Sequence, residues 1–136
     1  MKIIQVTGRS KSGKTTFIKS LIPELNKKGK VAVIKHLGDH HYLLDEGKDT
    51  TGFFLAGAAI SAGIDADKAV IALRNNSLDA MLGLLKGLGM DFAIIEGFKQ
   101  RSFKKIVIGD LQVEGCILKN PAIDEVVASI GRFDTY

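Results

Sequence analysis

The stretch GRSKSGKTT, Gly8 to Thr16, follows the apolar run Ile3-Ile4-Gln5-Val6 and precedes a helical pattern with Phe17, Leu21, Ile22 and Leu25 on one face. It fits G-x-x-x-x-G-K-[ST] at Gly8, Gly13, Lys14 and Thr15, and a strand before it with a helix after it is the context in which that motif carries meaning. Such a loop wraps backbone N–H groups around phosphate oxygens. It needs glycine where a side chain would block that approach, and it ends at a helix N-terminus whose dipole favours negative charge. The spacing therefore predicts a phosphate cradle over Gly8, Arg9, Ser10, Lys11, Ser12, Gly13, Lys14, Thr15 and Thr16. Lys14 would reach the β and γ phosphates, and the Thr15 hydroxyl would ligate Mg2+.

Outward from that loop, short β-branched runs recur at Ile3 to Thr7, Val31 to Lys35, Ala69 to Leu73, Phe92 to Glu96 and Lys105 to Ile108. Most are near-continuously apolar rather than alternating, the pattern of strands covered on both faces in a parallel sheet. Helical patterns separate them, the second being Leu78, Met81, Leu82, Leu85 and Leu88 behind an Asn75-Asn76-Ser77 cap signal. The expected order is β, α, β, α, β, α, β, an α/β fold with crossover helices. Asn120-Pro121, then Ile123, Val126, Val127 and Ile130, reads as a closing helix with Pro at its first position. Pro23 inside the first helix is expected to bend or shorten it. Gly38 to Thr50 is polar enough for a long loop.

A chain of 136 residues, 46% hydrophobic and 25% charged, suits one domain over residues 1–136 with a sizeable core. Its apolar runs are too short to cross a bilayer, and MKIIQV runs into the glycine loop without a signal-peptide core, so a cytoplasmic protein without membrane contact is expected. The lone Cys116 is read as a small buried hydrophobe. A net charge of +4 without a dense basic stripe argues against nucleic acid and for anionic small molecules. The cationic run FKQRSFKK, with Lys99, Arg101, Lys104 and Lys105, is read as a solvated loop rather than a phosphate or RNA grip.

A nucleotide site also needs a carboxylate near the metal. In DFAIIEGFK, Glu96 ends the strand Phe92 to Ile95 at the C-terminal sheet edge where open α/β folds bind ligands, while Asp91 falls at the opposite edge. Glu96 is therefore the expected Mg2+ partner, beside Thr15. Asp49 in EGKDTT is a second candidate near the γ phosphate, or else Asp49 and Thr50 cap the following helix. His36, His40 and His41 are a metal candidate without CxxC or a helical H-x-x-x-H to support it. No Asn-Lys-x-Asp lies on a late strand, and no arginine is placed to stabilise hydrolytic charge, so turnover should be slow at most.

Taken in order, VTGRSKSGKTTFIKSLIPEL, VAVIKH, EGKDTTGFFLAGA and AIIEGFK resemble the molybdopterin-guanine dinucleotide biosynthesis protein MobB family over most of the first hundred residues. Lys35-His36, Gly47-Lys48-Asp49 with Ala56-Gly57-Ala58, and Glu96-Gly97-Phe98-Lys99 are the more specific part of that likeness. The resemblance implies a P-loop NTPase-like three-layer fold, with a mainly parallel sheet and helices on both faces. It further implies a homodimer that binds GTP and Mg2+, with weak GTPase activity, and that assists a MobA-like molybdopterin guanylyltransferase in attaching GMP to molybdopterin. The chain departs from the family pattern at Leu37-Gly38-Asp39, where further histidines are usual, at Glu46 in place of a proline, and at Lys11 in place of a glycine. Rival readings of the same residues are a small-molecule kinase, a GTP-dependent metal-delivery protein and a non-hydrolysing nucleotide-sensing adaptor.

Overall fold

The computed structural model describes all 136 residues. In chain order the elements are β1 (Lys2–Thr7), α1 (Lys14–Asn26), β2 (Val31–Lys35), α2 (Asp49–Leu55), β3 (Ile60–Ile64), β4 (Ala69–Leu73), α3 (Leu78–Gly87), β5 (Phe92–Glu96), β6 (Lys105–Val107), β7 (Cys116–Lys119), α4 (Ile123–Ala128), a 3-10 turn at Ile130–Arg132 and β8 (Asp134–Thr135). Two compact units result, one formed by Met1–His36 with Leu82–Tyr136 and the other by Leu37–Met81, the division falling inside α3.

The first unit is built on a sheet in the order β2-β5-β1-β6-β7, with every neighbouring pair parallel, and β8 added antiparallel to the start of β1. Side chains alternate across a strand, so each face collects every second residue. Ile4, Val6, Phe92, Ile94, Ile106 and Leu118 join Ile18, Leu21 and Leu25 of α1, Val126 of α4 and Phe133 in one core. Their neighbours Ile3, Ala93, Ile95 and Val107 are fully buried as well, as is Leu82 of α3. The sheet is thus covered on both faces, which explains why β1 and β5 are apolar almost throughout. Each fully buried Ile or Leu here contributes about 1.5–3 kcal/mol relative to exposure.

The second unit pairs β3 with β4 antiparallel, Ile60 opposite Leu73 and Ile64 opposite Ala69. β4 was expected as a buried member of the parallel sheet. Instead it forms a two-stranded ribbon in which Val70 and Ile71 are 63% and 54% exposed. The reason is local: the Asp65 carboxylate accepts the Asp67 and Lys68 N–H groups at 2.8 Å each, and Asp65 N–H donates to Lys68 O. That turn lets adjacent antiparallel strands pair directly, whereas a parallel partner needs a long crossover. The Lys68 ammonium, then those N–H donors, hold the Asp65 carboxyl below the usual carboxylate range. Helix α2 joins the ribbon through Ser61 Oγ, which donates to Thr50 O at 2.7 Å, and Arg74 stacks 4.4 Å over the Phe54 ring.

Several local expectations change. Helix α1 runs through Pro23 to Asn26 without being shortened, and Pro23 lies on its exposed side. Cys116 is exposed, because β7 is an edge strand whose register against β6 slips between Lys105 and Ile106. Pro121 is not the first residue of α4: the helix starts at Ile123 behind Ala122, and Asn120 holds a left-handed φ of 48°. Asp49 is not a cap but the first residue of α2, with Lys48 in the extended cap position. No helix is long and apolar enough to cross a membrane.

Candidate nucleotide site

Because β2, β5, β1, β6 and β7 run parallel, their C-terminal ends place Lys35, Glu96, Thr7, Val107 and Lys119 along one edge of the first unit. The loop from Gly8 to Gly13 rises from the middle of that edge into α1. A Cβ on Gly8 would stand 2.3 Å from Ile108 O and 2.7 Å from Ser12 Oγ, so only glycine fits. Gly13 occupies the N-cap of α1 at φ 90°, without a side-chain cap, and no acid lies in the first turn. The leading N–H groups of this helix therefore keep the polarity that attracts an anion. Lys11 also lies in the left-handed region, at φ 59°, the conformation a glycine would adopt most easily. Lys14 Nζ donates to Arg9 O at 2.6 Å, holding its ammonium across the loop, and Thr16 O accepts a bond from Ser20 Oγ. Ser12 Oγ is buried without a hydrogen-bond partner, and Ser10 is exposed.

Thr15 and Glu96 meet. The Thr15 hydroxyl lies 3.2 Å and 3.4 Å from the two Glu96 carboxylate oxygens, and Glu96 is only 8% exposed. Lys35 Nζ stands 3.4 Å from Glu96 Oε1. A hydroxyl beside a carboxylate is a hard-oxygen donor set of the kind Mg2+ accepts, so these residues fit that ion.

The turn after Glu96 is held from below. Gln5, fully buried in β1, donates its Nε2 to Gly97 O and Phe98 O at 2.7 Å each. The Phe98 ring packs 4.5 Å from the His36 ring, and a Cβ on Gly97 would meet His36 Cβ at 2.9 Å. Farther along, Lys105 is buried with its Nζ donating to Arg101 O and Phe103 O, which fixes the loop leading into β6. Burial lowers its pKa below the ordinary lysine value, opposed by the negative charges of Asp134 and Glu114. The run FKQRSFKK is thus partly anchored from inside, not wholly solvated.

On the other side of β1, Arg9 Nε pairs with Asp110 Oδ1 at 3.1 Å. Asn120 closes both ends of its amide on one residue, accepting from Gly109 N–H at 2.6 Å and donating to Gly109 O at 3.1 Å. Asp49 belongs to the second unit, as do the exposed His40 and His41. No cluster of three His, Cys, Asp or Glu side chains is arranged to hold a metal ion.

Gln5, Asp110 and Asn120 were not singled out as contributors to this edge, whereas Lys35-His36 was read as closing the second strand there. Only Gln5 carried a signal, as the one polar residue in an apolar strand. The others depend on which strands become neighbours.

The chain matches the family model for MobB, molybdopterin guanine dinucleotide synthesis protein B, over residues 3–130. It is 36% identical over 110 residues to a probable molybdopterin-guanine dinucleotide biosynthesis adapter protein of Bacillus subtilis, covering 78% of this chain and 64% of that one. A putative adapter protein of the same description from Methanocaldococcus jannaschii is 37% identical over 100 residues, covering 74% and 42%. The chain therefore spans less than two thirds of the length of these two relatives. The crystal structure of Bacillus subtilis MobB superposes with a TM-score of 0.69 at 29% identity, covering 88% of this chain and 77% of that one.

Proposed function

The chain belongs to the MobB family, and from that membership we propose that it is a GTP-binding adapter of molybdenum cofactor biosynthesis. In this reading GTP lies with its phosphates on Gly8 to Thr16 and Mg2+ between Thr15 and Glu96, and the protein assists a MobA-like guanylyltransferase in attaching GMP to molybdopterin. It acts in the cytoplasm as a homodimer, the 136 residues working as one nucleotide-binding domain. The observation that carries the reading is the Thr15–Glu96 pair at the mouth of the glycine loop, two oxygen donors brought together from distant parts of the sequence. Lys14 supplies positive charge to the β and γ phosphates, and Lys35 adds charge beside Glu96. No arginine other than Arg9 stands on the loop, and Arg9 is paired with Asp110, so hydrolysis is weak and the bound state is the signal.

Displacement of a fluorescent GTP analogue by unlabelled GTP and ATP in Mg2+, on the wild type and on Lys14→Ala, tests this. GTP should displace far better than ATP. Lys14→Ala should lose binding by roughly a hundredfold or more while its melting curve is kept, since a phosphate-bonded ammonium is a charge-assisted contact. Equal affinity of wild type and variant, or preference for ATP, removes the reading.

A further inference from the structure

We propose that Asp110 reads the guanine base of the nucleotide, with Asn120 as the positioning residue that holds its loop. The inference rests on the nucleotide reading above and extends it to the far end of the ligand.

The direction comes from the sheet. Glu96 ends β5, on one side of β1, whereas β6 and β7 lie on the other. A nucleotide whose metal end is at Thr15 and Glu96 extends its nucleoside away from β5, toward the loops that follow Val107 and Lys119. Those two loops are built as one piece. Asn120 N–H donates to Val107 O at 2.8 Å, its side chain is closed on Gly109 at both ends, and its left-handed φ of 48° is kept by these bonds. The same piece touches the glycine loop through Arg9 and Asp110, and through Ile108 O beneath Gly8.

The chemistry selects the carboxylate. Guanine presents adjacent N1–H and N2–H donors, which two carboxylate oxygens accept side by side; adenine presents an acceptor at N1 and has no donor at C2. Asn120 cannot serve, since its amide is used on Gly109. Among the first unit's acids, Glu96 faces Thr15, Asp91 and Asp134 accept the Lys30 and Lys104 N–H groups, Glu24 pairs with Lys27 on α1, Glu114 acts on Lys105, and Asp124 and Glu125 lie in the first turn of α4. Asp110 is the acid joined to the glycine loop. Arg9 engages only its Oδ1, and a carboxylate carries about four lone-pair sites, so both oxygens retain capacity for the base edge. This accounts for guanine preference without Asn-Lys-x-Asp.

The decisive variant is Asp110→Asn, which exchanges one acceptor for a donor. Xanthine keeps N1–H and replaces the guanine amino group by a carbonyl, so it complements an amide as guanine complements a carboxylate. The side chain of Asp110 is 79% exposed, and a thermal melt of the variant should match the wild type. Using the displacement assay with GTP, ATP and xanthosine triphosphate, Asp110→Asn should weaken GTP by roughly ten- to a hundredfold, the range for a lost bidentate base contact, and strengthen xanthosine triphosphate. Asp110→Ala should weaken GTP without that gain. Wild-type preference for GTP with all nucleotides equally weakened in Asp110→Asn would assign Asp110 to bracing Arg9 and overturn the base assignment alone. An unchanged GTP preference in that variant would overturn it likewise. Wild-type indifference between GTP and ATP would overturn the nucleotide reading and this inference together.

Discussion

The two units use apolar residues in opposite ways. In the first, β1 and β5 bury nearly every side chain, and even polar Gln5 and Thr7 are fully enclosed. In the second, Ile60, Ile64, Val70 and Ile71 are between 54% and 84% exposed, on a ribbon of only two strands. Ile60, Ala62, Ile64, Ala69 and Ile71 alternate onto one exposed face, while Val70, opposite Gly63, is exposed on the other face, where Ser61 is buried. A two-stranded ribbon has little independent stability, and the second unit gains what it has from Ser61, Thr50, Arg74 and the Asp65 turn. The candidate phosphate loop and Glu96 both stand on the rigid unit. Placing a charged site on elements with locked side chains keeps its geometry, whereas loosely held strands are free to rearrange.

Removing core volume should separate the units most. Ile94 lies in the central strands and is fully buried. Ile94→Ala should cost about 2–5 kcal/mol, read by urea unfolding, because deletion loses the transfer free energy and leaves a cavity. Hydrogen exchange should show the loss shared by β1, β5 and β6, whose protection is set by global unfolding. A cost below about 1 kcal/mol would mean that the sheet repacks as easily as a surface, and the contrast would fail.

A smaller effect is expected at the site itself. Gly8→Ala puts a methyl against the backbone carbonyl of Ile108, the residue that follows β6. Overpacking of this kind costs about 1–3 kcal/mol, and displacement of the Gly8 backbone should abolish nucleotide binding in the fluorescence assay. Retained binding with unchanged stability would show that the loop can move away from Ile108, contrary to a rigid cradle.

What could be read from sequence follows the same division. The loop at Gly8 to Thr16, the bounds of β2 and β5, and Glu96 at a strand end were legible because each is encoded within a few residues: a glycine spacing, a β-branched run, an acid at its close. β3 was missed because ISAGI contains serine and glycine, and β4 was misassigned because five apolar residues look alike in a buried parallel strand and an exposed ribbon. β7 begins with Cys116 and ends with Lys119, and β8 has two residues, so neither shows a run. The Asp110–Asn120 edge was illegible for a stronger reason. It exists only once β6 and β7 pair, and that pairing joins segments whose contact no local pattern states.

The least effect is expected where the contrast is most informative. Ile71 is 54% exposed and stands opposite Ala62 on the open face of the ribbon. Ile71→Ala removes little buried area in the isolated chain, so unfolding should shift by less than about 0.5 kcal/mol. The β-branched side chain does favour an extended backbone, which gives the small change a destabilising sign. Amides of β3 and β4 should already exchange through openings cheaper than global unfolding, and Ile71→Ala should speed them by a few-fold at most. A loss of about 2 kcal/mol or more would mean that Ile71 is covered in solution, since an exposed side chain has no such amount to lose.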